Sequence, residues 1–176
     1  MKFFQLLQDI AEQSRKNAVP LPQPGKARKI WHGISYRFAD INMMSALSEV
    51  CEVAPCPAVS LLPGVKPWVR GVANIRGNLI TVIDLAAFLD LRAPTTNKNS
   101  RILIVNQAGL MAGLLVDEIH GLRHLDETAK IENPMLDEVN LAPYITAGFT
   151  SDKQEEHLVL SLLALVQSQL FMNIAA

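Results

Sequence analysis

Apolar and polar positions change their spacing three times along the chain. In residues 3 to 16, FFQLLQDIAEQSRK, Phe3, Leu6, Leu7 and Ile10 recur at helical spacing and predict an amphipathic helix of about three turns. The stretch VPLPQPGKARK then carries Pro20, Pro22 and Pro24, which impose an extended, semi-rigid linker. From Ile30 the period becomes two: Ile30, His32, Ile34, Tyr36 and Phe38 alternate with Trp31, Gly33, Ser35 and Arg37, as in a half-buried strand. The run ALSEVCEVA continues this through Leu47, Val50, Cys51 and Val53, and PCPAVSLLPGVKP reads as a proline-punctuated loop.

WVRGVANI and NLITVIDL predict two strands joined at Arg76-Gly77-Asn78, where glycine supplies positive φ. Leu85, Phe88 and Leu89 give a short helical turn, and RAPTTNKNS is a polar connector. RILIVN and LMAGLLVDEI flank a second hairpin at Gln107-Ala108-Gly109, and YITAGFT and HLVLSLL flank a third across SDKQEE. Residues 126 to 143 read as irregular, and SLLALVQSQLFMNIAA returns to helical spacing. About nine short strands with two peripheral helices predict an all-β sandwich or small barrels.

Composition narrows the function classes. At 176 residues and 49% apolar the chain can bury a full core. Sixteen basic against 17 acidic residues leave a formal charge of -1, with no bias toward nucleic acid or anionic membrane. No run approaches the roughly 18 apolar residues of a membrane span. The start, MKFFQLLQDIAEQ, meets Asp9 and Glu12 too early for a secretory signal, so a cytoplasmic location is expected. Cys51 and Cys56 match neither a zinc knuckle nor a redox pair and read as reduced thiols.

The motifs that could carry chemistry fall away one by one. GVANIRG lacks both the dinucleotide spacing and a Walker lysine, and it turns into a strand where a phosphate site needs a helix N-terminus. His120 and His124 in HGLRH stand four apart, but Gly121 separates them and no third ligand lies at familiar spacing, so they read as loop histidines. His32 and His157 read as edge or satisfied core residues. Asp84 reads as a helix N-cap, and Asp117, at a strand end, as a backbone-bonding carboxylate. No acid and base pair and no nucleophile elbow is present, so no catalytic residue, cofactor or metal site is predicted. Arg76 at its hairpin tip could be met by Glu52 from a neighbouring strand in a bidentate pair that fixes side-chain direction.

Taken together, V-C-E-V at 50 to 53, G-V-A-N-I-R-G at 71 to 77, V-I-D-L at 82 to 85, G-L-L-V-D-E-I at 113 to 119 and Y-I-T-A-G-F at 144 to 149 resemble the CheW family of chemosensory coupling proteins. The likeness runs in unbroken order over about residues 30 to 172. The leading helix, W-H-G-I-S-Y and W-V-R-G-V-A-N-I-R-G are most similar to members serving type IV pilus twitching motility. The resemblance implies two small five-stranded β-barrels sharing a hydrophobic core, with residues 1–29 as an added helix and linker and 173–176 as a tail. It further implies a non-enzymatic adaptor bridging a CheA-type histidine kinase, through its CheW-like regulatory domain, and the cytoplasmic tip of a methyl-accepting chemoreceptor.

Carried over by motif, the partner-binding residues are Leu47, Val50, Glu52, Val53, Gly71, Ile75, Arg76 and Gly77, with Ile102 as an apolar receptor contact. Thr81 stands where the family commonly has proline. The competing reading, an oligonucleotide-binding small β-barrel, needs a basic groove with stacked aromatics, whereas only 6% of residues are aromatic.

Overall fold

The structure is a computed structural model that describes residues 29–107, 109–132, 134, 140–150 and 156–175. The predicted helix at 3 to 16 and most of its linker lie outside the described residues. In chain order the strands are β1 (Ile30–Phe38), β2 (Ile41–Ala46), β3 (Glu52–Pro55), β4 (Val69–Ile75), β5 (Asn78–Asp84), β6 (Arg101–Gln107) and β7 (Leu110–Val116). They continue as β8 (Glu118–Asp126), β9 (Lys130–Ile131), β10 (Ile145–Thr150) and β11 (Glu156–Leu160). Three short helices, α1 (Leu85–Phe88), α2 (Leu162–Gln167) and α3 (Gln169–Met172), lie on the strands' flanks.

The strands form a six-stranded sheet, ordered β8-β1-β2-β11-β10-β9, and a five-stranded sheet, ordered β3-β6-β7-β5-β4. The fold is therefore mainly β in two subdomains, as the resemblance implied, with two corrections. One subdomain has six strands, and neither sheet closes into a continuous hydrogen-bonded barrel. The run ALSEVCEVA is not one strand either: Leu47–Glu49 forms a 3-10 turn between β2 and β3, which carries the chain from the first sheet to the second.

Three apolar clusters fill the molecule. Each strand of the five-stranded sheet contributes to one interior, through Ala54, Ala73, Ile80, Val82, Ile102, Ile104 and Leu115. The six-stranded sheet encloses Met44, Ala147, Phe149 and Val159, with Trp31 reaching across to Phe149 at a ring separation of 4.9 Å. The largest cluster lies between the subdomains and takes the alternate faces: Leu103 and Val105 of β6, Ala112, Leu114 and Val116 of β7, Ile34, Tyr36 and Phe38 of β1, and the helices. Alternation is lost in RILIV because β6 is covered on both faces.

Polar joints tie the subdomains together. Asp84 caps α1 by accepting from the Ala87 N–H and also accepts from the Thr95 N–H. Arg92 donates to Asp117 and lies 3.7 Å from Asp84, while Asp117 accepts from the Ala39 N–H in the β1–β2 turn. Glu49 accepts from the Leu162 and Leu163 N–H groups and from the Ser161 hydroxyl, which fastens the 3-10 turn to the start of α2. In the six-stranded sheet Ser45 donates to the Leu160 carbonyl and bonds the Tyr36 hydroxyl, both at 2.7 Å. Burial pushes the Tyr36 hydroxyl well above the usual phenol range, against the opposing effect of the Ser45 bond.

Two residues of the expected tail contact the body. Lys66 N–H donates to the Ile174 carbonyl, and Val65 pairs with Ala175.

Candidate protein-contact site

The β4–β5 hairpin ends in a two-residue turn with both central residues at positive φ, Arg76 at 50° and Gly77 at 89°. This is the type I′ geometry that suits the twist of paired strands. Asn74 accepts from the Gly77 N–H at 2.8 Å and braces the turn. Such turns favour Asn-Gly, so arginine at the first position sits in a left-handed conformation costing about 1 kcal/mol. A strained residue whose side chain is 78% exposed points to a role for that side chain.

Glu52 meets it. Its Oε1 lies 2.8 Å from Arg76 Nη2, and the carboxylate is only 28% exposed. Because Glu52 opens β3 and Arg76 follows β4, the pair joins the two edge strands of one sheet. Beside it, Ser60 and Val72 exchange both backbone hydrogen bonds, so the chain just after β3 pairs with β4. Gly71 makes this approach possible: its φ is 129°, and a Cβ there would lie 2.1 Å from the Ser60 carbonyl oxygen. Together these contacts form a seam where the curled sheet nearly meets itself.

The predicted residues separate into three groups. Glu52, Arg76 and Gly77 come together at the seam's exposed end. Ile75, just before the turn, packs its half-buried side chain on the barrel interior, and Val53 follows Glu52 with its side chain exposed. Leu47 and Val50 flank Glu49: Val50 packs on the shared core, while Leu47 lines a groove of about 450 Å³ with Ile30, Trp31, His32 and Ala46. Gly71 and Ile102 belong to the fold. Ile102, expected as a receptor contact, is 0% exposed and seated inside the five-stranded sheet, because the β6 residues that alternate with Leu103 and Val105 turn to the barrel interior.

Leu79 was missed. It is 70% exposed, pairs with Asn74 on β4, and lies next to the turn. The period-two pattern of NLITVID could have shown it, since Ile80 and Val82 turn inward and leave Leu79 outward. The result is an amphipathic tip: a directional cation, a half-buried carboxylate behind it, and exposed aliphatic side chains.

Other features bear on the remaining alternatives. The histidines of HGLRH lie on β8, not in a loop, because that strand pairs with β1. All eight described aromatic residues pack ring against ring, most of them in the cores, and supply no open stacking platform among the described residues. Cys51 and Cys56 are free thiols, and burial pushes the Cys56 thiol up against the charge of Arg70. No helix among the described residues is long and apolar enough to cross a membrane.

Comparison with known proteins agrees with this architecture. The family model for the CheW-like domain matches residues 32–170. The chain is 39% identical over 173 residues to the protein PilI of Pseudomonas aeruginosa, covering 98% of this chain and 96% of that one. It is 24% identical over 155 residues to the chemotaxis protein CheW of Helicobacter pylori, covering 87% and 90%. Among solved structures, the scaffolding protein TtCheW of Thermoanaerobacter tengcongensis superposes with a TM-score of 0.70 at 23% identity, over 80% of this chain and 95% of that one.

Proposed function

The chain belongs to the CheW-like domain family, and from that premise we propose that it is a non-enzymatic adaptor coupling a methyl-accepting chemoreceptor to a CheA-type histidine kinase. The similarity to PilI supports a pathway that controls type IV pilus twitching motility, with the protein acting in the cytoplasm beside membrane-bound receptors. The observation that carries the reading is the hairpin tip. Arg76 is held in a strained turn and paired with Glu52, with the exposed Leu79 beside the turn on β5.

A small apolar anchor supplies affinity at such a surface, and a fixed charge sets register. The kinase's CheW-like regulatory domain is the partner proposed for this tip, while the Leu47 groove offers a second surface on the other side of the Leu47–Glu49 turn. Two surfaces on one rigid body let a receptor and a kinase be held in fixed relation, so that a change in one alters the conformational populations of the other.

The test is binding of the purified kinase regulatory domain to Arg76→Asn and Leu79→Ser variants, with folding checked by circular dichroism. Affinity should fall roughly 10-fold or more in each, as for residues central to an interface. Wild-type affinity in both folded variants would rule out this face.

A further inference from the structure

We propose that His32 and His124 form a binding site for a divalent transition-metal ion of the zinc class, a property that goes beyond the adaptor reading. The two residues sit directly opposite each other on antiparallel β1 and β8. Their rings meet edge to face at 83°, with Nδ1 of one 2.7 Å from Nδ1 of the other. Both side chains are exposed, so an ion can reach them from solvent.

Backbone pairing fixes the two Cα atoms, so the site is built by the strands and not by loop conformation. His120 takes no part. It is the extra residue at a bulge between the Ser35–Gly121 and Tyr36–Ile119 pairs, and it lies 3.9 Å from Glu118.

With both imidazoles neutral, one Nδ1 carries the proton that the other accepts. For both Nδ1 atoms to bind an ion, the donor's proton leaves Nδ1 and the ring takes up one at Nε2 from water, giving the other neutral tautomer with no net proton release. Two nitrogens about 2.0–2.1 Å from a tetrahedral ion stand about 3.3 Å apart, so the pair opens by roughly 0.6 Å, within reach of side-chain rotation. No group of three or more ligating side chains occurs among the described residues, so water completes the coordination and the site stays open.

Asp126 lies two residues beyond His124 on the same face of β8, opposite Ile30, and accepts from the Thr128 N–H and hydroxyl. Glu127 lines the same groove as His32, and it is 3.8 Å from Lys29. Arg123 precedes His124 on β8 and points to the opposite face by strand alternation. A bound ion would clip β1 to β8 beside Leu47, which shares that groove.

Isothermal titration of the full chain with zinc chloride at pH 7.5 should show one saturable event, about 10-fold or more weaker in His32→Gln and in His124→Gln and unchanged in His120→Gln and His157→Gln. Zinc should raise the melting temperature of the wild type and not of the His32 or His124 variants. Because the paired imidazoles are exposed, their removal should leave the fold intact, which circular dichroism of the zinc-free variants checks. No saturable event in the wild type, or binding that persists in the His32→Gln/His124→Gln double variant, would overturn the site.

Discussion

The two curled sheets are finished by different means. In the six-stranded sheet the edge strands β8 and β9 are neighbours in sequence, joined by the 3-10 turn Glu127–Ala129, so chain continuity holds the edges together. In the five-stranded sheet the edges β3 and β4 are also consecutive, but the longer segment 56–68 separates them, and they are drawn together by the Ser60–Val72 backbone pair and the Glu52–Arg76 ion pair. A link as short as Glu127–Ala129 brings its strands together by itself. A longer link needs cross-links of this kind, and one of them, the Glu52–Arg76 pair, is made by side chains that reach the surface.

The sharpest way to break the comparison is from inside. Ile102 is a buried member of the five-stranded interior, and Gly113 on the neighbouring strand leaves room for it, since a Cβ there would lie 2.7 Å from the isoleucine Cγ2. Truncation to alanine should lower unfolding free energy by about 2–5 kcal/mol in urea denaturation, as for other large-to-small core changes. Kinase affinity of the folded fraction should remain that of the wild type. A surface contact would show the reverse pattern.

Gly71→Ala attacks the seam itself. The added Cβ meets the Ser60 carbonyl in a backbone conformation that L residues rarely adopt, so roughly 2–3 kcal/mol should be lost. Amide exchange at Val72 should accelerate more than at Phe149 in the other sheet, because the Val72 N–H donates to Ser60 across the opened seam. Equal acceleration in both sheets would show that the two subdomains unfold as one unit.

Much of this architecture is legible in the chain, for definite reasons. Hairpins flanked by alternating residues and glycine turns are local, so β4–β5 and β6–β7 follow from spacing, as do the Asp84 cap and the Arg76–Glu52 pair. What the pattern hides depends on tertiary cover. β6 is apolar on both faces, so RILIV does not reveal which residue turns to which core, and the burial of Ile102 cannot be read from it. β8 has no fully buried residue, so HGLRHLD carries no apolar period, and only its pairing with β1 makes it a strand. The Leu47–Glu49 turn is set by Glu49 reaching the α2 amides over a hundred residues away, which no local rule contains.

The smallest expected effect is the most discriminating. Arg76→Asn removes the guanidinium while keeping a side chain that tolerates the left-handed region, so it relieves backbone strain as it breaks the pair with Glu52. An ion pair with so exposed a partner contributes under about 1 kcal/mol, and the relieved strain is of similar size. The two should nearly cancel, leaving stability within about 0.5 kcal/mol of the wild type by urea denaturation. A loss of several kcal/mol would mean that the ion pair holds the seam closed and that the exposed arginine is structural. Near-neutral stability would place closure of the seam on the Ser60–Val72 pair and free Arg76 for recognition.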